Sequence, residues 1–216
     1  MSKYYLTQAE ALLKYRTALT NAKSEPTLAT ILGEFGYDAD KIKQGEALLA
    51  ATEKAFESTA QENKEKQEAY TKYRNQYTAA LDTYALDRKK AHVVFRRQPE
   101  IRKSLWLHNK TNTSLAEHIK MMKAFYTLLS TNSELATPLQ TLKITSAHLT
   151  KQLEEITALE KSIADYHREK GESEEATKKK EAALKELADW MGEFFTVAKI
   201  ALADDKQLLE ALNKKA

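Results

Sequence analysis

Shifting the sequence by 107 residues lays its first half over its second without a gap. Thr7-Gln8-Ala9-Glu10 falls on Ser114-Leu115-Ala116-Glu117. Both read as a capping box, in which a hydroxyl accepts from the backbone N–H three residues on and a glutamate there answers it. Leu28-Ala29-Thr30 falls on Leu135-Ala136-Thr137, Leu32 on Leu139, and Ala51, Glu53 and Lys54 on Ala158, Glu160 and Lys161. Ala91 to Phe95 meets Ala198 to Leu202, and Ile101 and Leu105 meet Leu208 and Leu212. One shift that aligns caps, cores and closing segments together is read as an internal duplication, which has to be recognised before a fold is assigned. The reading is a single domain over 1–216, with copy one at 1–107, copy two at 114–214 and a polar joint at 108–113.

The duplicated unit is helical. With 5 Gly and 3 Pro in 216 residues, the chain holds under a third of the roughly 12% that average proteins carry. Sandwiches and α/β alternation need far more turn residues. The 34 basic and 31 acidic residues nearly cancel and apolar positions recur regularly, which argues against disorder. In copy one, residues 7 to about 23 show a helical stripe at Ala9, Leu12, Tyr15, Leu19 and Ala22, answered by Ala116, Ile119, Met122, Tyr126 and Leu129. A short helix follows Pro26. Asp38, or Thr145 in copy two, then caps a long helix with Ile42, Gly45, Leu49, Thr52, Phe56 and Thr59 at steps of three and four, a seam suited to near-antiparallel packing at about 20°. Its counterpart carries Leu149, Gln152, Ile156, Leu159, Ile163 and Tyr166.

Residues 57–68 lack large apolar side chains, and 168–182 contain Gly171; both are expected to be exposed hairpin tips. A return helix over about 69–97, or 176–203, follows, and Pro99 and Asp205 open short closing helices. The expected architecture is all-α: an elongated, pseudo-twofold antiparallel bundle, each copy giving three main helices plus short ones.

No chemistry has a visible address. The positions three and four before and after His92, His108, His118, His148 and His167 hold no Asp or Glu, so the Glu-x-x-His pattern of bundle metal sites is missing. The five glycines are scattered, which suits no phosphate-cradling loop. No catalytic, metal or cofactor residue is assigned. The tyrosines at 70, 73, 77 and 84 read as core packing, since Leu184 and Met191 stand opposite Tyr77 and Tyr84.

Charge is where the copies differ. Residues 86–110 carry a net +6, whereas the corresponding 193–216 carry zero. Arg88, Lys89, His92, Arg96, Arg97, Arg102 and Lys103, beside Trp106, form the candidate anion or partner patch. The overall charge of +3 is small, so nucleic acid is not expected. The expected partner is a protein with an acidic surface; an anionic membrane surface is the alternative, and a metal- or cofactor-bearing bundle enzyme comes third. Asn109-Lys-Thr111 and Asn112-Thr-Ser114 fit glycosylation acceptors but read as a polar joint. With no apolar leader at the N-terminus and no cysteine, the expectation is a cytoplasmic protein.

The closing segment from Ala198 to Leu212 (AKIALADDKQLLEAL) and the Gly171 turn followed by Ala176-Thr177 resemble a group of uncharacterised bacterial all-helical proteins with a duplicated helical unit. The resemblance implies a bacterial origin and brings no activity or binding residue with it.

Overall fold

The computed structural model describes residues 7–108 and 114–213. Among them every regular element is helical: α1 (Gln8–Ser24), α2 (Pro26–Glu34), α3 (Ala39–Val94), α4 (Pro99–Ser104), α5 (Leu115–Thr131), α6 (Ser133–Ala136), a 3-10 turn (Thr137–Leu142), α7 (Ser146–Ala201) and α8 (Lys206–Ala211). Apart from His108, the joint at 108–113 lies outside the described residues, and so do most of the two glycosylation-like triplets.

The starts of these helices are set by local chemistry. Thr7 accepts from the Glu10 amide at 3.3 Å, and the Glu10 carboxylate accepts from the Thr7 amide at 2.7 Å. Ser114 accepts from the Glu117 amide at 3.3 Å. Asp38 and Thr145 cap α3 and α7 by accepting from the amides of Lys41 and His148. Asp205 does the same for Leu208 at the start of α8, and Pro99 opens α4 at its first position. Pro138 divides the stretch after α5 into α6 and the 3-10 turn, because its ring removes a backbone donor.

The expected hairpin tips do not exist. α3 and α7 are continuous helices of 56 residues each, about 84 Å long at 1.5 Å per residue. The expected pairs of helices at 39–97 and 146–203 are thus one helix each. A stretch without large apolar residues is not a break: 57–68 is mostly Glu, Gln, Lys and Ala, which hold helix well. A Cβ added to Gly171 would meet nothing within 4 Å; a lone exposed glycine costs a helix only about 1 kcal/mol.

The chain forms two compact units. Unit 1 comprises residues up to Asn63 and from Glu172 onward; unit 2 is Lys64–Gly171. Each takes part of α3 and part of α7, so the units cut across the copies read from the sequence.

In unit 1 the core gathers Leu19 and Ala22 of α1, Leu28 and Leu32 of α2, Ile42 and Leu49 of α3, and Leu187, Met191, Phe194 and Ala198 of α7, closed by Leu209 and Leu212. The α3 seam runs close to α7 where small residues allow it. Thr52 Oγ1 donates to the Ala183 carbonyl at 3.2 Å and Thr59 Oγ1 to that of Ala176 at 3.1 Å. In unit 2 the core is Tyr84, Ala91 and Phe95 of α3, Met122, Phe125, Tyr126 and Leu129 of α5, and Leu149, Ile156 and Leu159 of α7, with Leu105, Leu139 and Ile144. No described helix is long and apolar enough to cross a membrane.

Candidate functional site

The seven basic residues expected to form a patch lie at the end of α3, in the turn after it and on α4 in unit 2, and the structure sorts them into two kinds. Arg88 is buried, 7% exposed. Its Nη2 donates to the carbonyls of Trp106 at 3.1 Å and Leu107 at 3.0 Å, and its guanidinium lies 5.5 Å from the centre of the Tyr84 ring. His92 Nε2 meets the Leu107 carbonyl at 2.8 Å. Trp106 has a φ of 53°, so the chain turns sharply after α4. The carbonyls of Trp106 and Leu107 lie past α4, where backbone acceptors need partners from elsewhere; Arg88 and His92 supply them and tie this turn to α3. Their first task is to hold the fold.

Lys89, Arg96, Arg97 and Lys103 are exposed, and Arg102 is half-buried. Among the described residues, none of the four exposed cations is ion-paired. Beside them along α3 stand two large apolar side chains left in water, Leu86 at 54% exposure just before Lys89 and Val93 at 66% between Lys89 and Arg96. At 86, 89, 93 and 96–97 the steps of three and four set apolar and cationic groups along one side of α3 and the turn after it. Such a surface offers charge and apolar area to the same partner.

Behind this face lies a group that sequence reasoning counted only as one negative charge. Asp87 is fully buried. Lys90 Nζ reaches its Oδ1 at 2.9 Å. Its Oδ2 accepts from the Tyr126 hydroxyl at 3.0 Å and meets His148 Nε2 at 2.5 Å. An ionised carboxylate offers about four acceptor positions. Three donors from three helices offset a desolvation cost of several kcal/mol. Burial, and then the Asp87 charge beside it, push the Tyr126 hydroxyl far above the usual tyrosine range. A histidine oriented by a buried acid can bind or relay a proton. The His148 contact ties α7 to α3 and the Tyr126 hydroxyl ties α5 to α3, whereas Lys90 belongs to the same helix as Asp87.

Testing each histidine against its own helix could not find this pair, because Asp87 and His148 sit on α3 and α7. One sign was present: Asp87 falls on the core stripe of Ala80, Tyr84, Ala91 and Val94, where an acid must find partners. The tyrosine stripe divides: Tyr84 is buried, Tyr73 and Tyr77 half-buried and Tyr70 39% exposed. Tyr70 and Tyr73 pack against Tyr166 with ring centres 5.5 and 5.1 Å away, and the Tyr77 hydroxyl meets His118 Nδ1 at 2.5 Å.

No protein-family model matches the chain, and no curated protein or solved structure matches it either.

Proposed function

We propose that this is a non-enzymatic interaction protein, a helical scaffold grown from a duplicated unit, which docks a protein with an acidic surface on the basic end of α3 and α4. The observation that carries the reading is the set of four exposed cations, Lys89, Arg96, Arg97 and Lys103, none ion-paired among the described residues, beside exposed Leu86 and Val93. Long-range attraction would steer the partner in, and the two apolar side chains would gain by being covered. The same reading takes the protein to be cytoplasmic and, as its closing segment implies, bacterial.

Several features support the duplication. The spans of α1 and α5, α3 and α7, and α4 and α8 differ by 107 at both ends. The same shift relates the left-handed residues Gly36 to Lys143 and Trp106 to Asn213. It also carries the ion pair Arg16–Glu53 onto Lys123–Glu160. Helix spans and left-handed turns repeat; the α3–α4 cations do not. That contrast is what a scaffold would display after one copy acquired a binding face.

Exposed Leu86 and Val93 among cations also suit an anionic bilayer surface, the second reading. A poly-glutamate peptide and phosphatidylglycerol vesicles, each offered at low salt, separate the two. The expected result is salt-sensitive binding of the peptide, lost when Lys89, Arg96, Arg97 and Lys103 are all replaced by Ala, with the melting temperature unchanged. Vesicle retention without peptide binding transfers the proposal to lipid; binding of neither removes the patch from consideration.

A further inference from the structure

The two units treat one cleft in opposite ways. In unit 1, Trp190 of α7 lies over Gly45 of α3, so close that a Cβ on Gly45 would come within 2.5 Å of the indole. The indole stacks on Phe194 at 5.7 Å and meets Tyr37 edge-on at 5.6 Å. Moved by 107, Trp190 becomes Thr83, Leu187 becomes Ala80, Phe194 becomes Asp87 and Gly45 becomes Gln152. Unit 2 therefore has no ring to lay in the corresponding place, and a half-open cleft of about 480 Å³ stands there between α3 and α7.

We propose that this cleft in unit 2 binds a neutral bicyclic nitrogen heterocycle, of the indole or purine class; the correspondence rests on the duplication proposed above. Shape comes from unit 1, which closes its own version of the cleft with an indole. Polarity comes from the lining. Thr83, Gln76, Gln152, Glu155 and His148 border the cleft beside Ala79, Ala80 and Ala158, so the lining offers a ring both apolar area and polar groups for its edge. Gln76 Oε1 is buried and, among the described residues, has no hydrogen-bond partner; a turn of this side chain, which lines the cleft, would bring it to an N–H on the ligand edge. In unit 1 the mismatch is reversed, for Trp190 Nε1 is a buried donor without an acceptor among the described residues. Net charge on the ligand is not called for. Lys151 pairs with Glu155 at 3.6 Å, and Asp87 is engaged by Lys90, His148 and Tyr126.

The test uses the intact protein and follows the His148 imidazole by NMR as indole or adenine is added. Saturable shifts are expected in the native chain. They should vanish in Thr83→Trp combined with Gln152→Gly, which copies the unit 1 arrangement, with the helical circular dichroism retained. Gln76→Ala, which needs no repacking, should weaken binding about tenfold, the worth of one good hydrogen bond. Absence of a saturable shift in the native chain overturns the proposal, and so do shifts that survive in Thr83→Trp with Gln152→Gly or an affinity unchanged in Gln76→Ala. The duplication is judged separately: Trp190→Thr should open a cleft over Gly45 that takes up indole, read at Tyr37. Failure there counts against the correspondence of the two clefts, whatever the native chain does.

Discussion

Replacing Gly45 by Ala sets two opposed effects against each other inside α3. In a helix interior, alanine is favoured over glycine by about 1 kcal/mol. At Gly45, however, the added Cβ would lie 2.5 Å from Trp190 Cη2, 2.6 Å from Cζ3 and 2.9 Å from Leu19 Cδ2. Ordinary contact begins near 3.4 Å, so a rigid ring must retreat by about 1 Å, and it is held by Phe194 and Tyr37 while Leu19 is buried. Overpacking of this kind costs about 1–3 kcal/mol. With three close approaches the steric cost outweighs the helix preference, and Gly45→Ala should lose up to about 2 kcal/mol in urea denaturation. With Trp190→Ala already in place the clash is gone and the same substitution should stabilise by about 1 kcal/mol. A Gly45→Ala protein at least as stable as the native one, or an effect unchanged by Trp190→Ala, would refute the account of the plugged cleft.

Arg88→Ala removes both hydrogen bonds to the Trp106 and Leu107 carbonyls and should cost about 3 kcal/mol, whereas Arg96→Ala with Arg97→Ala should change stability by less than about 0.5 kcal/mol; thermal melts of the two variants decide it. Because the Tyr126 hydroxyl is raised above its ordinary value of 10.0, its contribution is complete below that pH and is lost as pH rises beyond it. Tyr126→Phe should therefore be less stable than the native protein at neutral pH but lose less between neutral and alkaline conditions, as paired denaturation curves will show. Hydrogen bonds from Thr7 hold the Glu10 carboxyl below its usual range, so the α1 cap is intact above the ordinary glutamate pKa and loosens as pH falls through the lowered one. The Thr7 backbone N–H gives the larger of these bonds and its hydroxyl the smaller, so in an NMR titration Thr7→Ala should return Glu10 only part of the way toward its ordinary midpoint.

Helix starts were legible because capping is local: Thr7 with Glu10, Asp38, Thr145 and Asp205 announce themselves within a few residues. The α3 seam was legible too, with Ile42, Leu49, Thr52 and Thr59 buried in steps of three and four. The middle of the long helices was not, because an apolar gap at 57–68 imitates a turn although the stretch contains no residue that ends a helix. The basic residues stood out in the sequence, but their roles did not. Arg88 and Lys89 are neighbours in sequence, and only the placement of the Leu107 carbonyl makes one a tie and leaves the other in solvent. The Asp87–His148 contact was out of reach because it joins residues 61 apart on two helices.

The make-up of the two units bears on how the chain is made. Unit 2 is one unbroken stretch, Lys64–Gly171, while unit 1 needs residues up to Asn63 and from Glu172 onward. As the polypeptide emerges from the ribosome, everything that builds the second core is present once Gly171 is out. The first helices must then wait, amphipathic and without their partner, until the rest of α7 is synthesised. Stalling translation once Gly171 has cleared the exit tunnel should therefore yield a nascent chain whose middle resists protease while its leading end is digested.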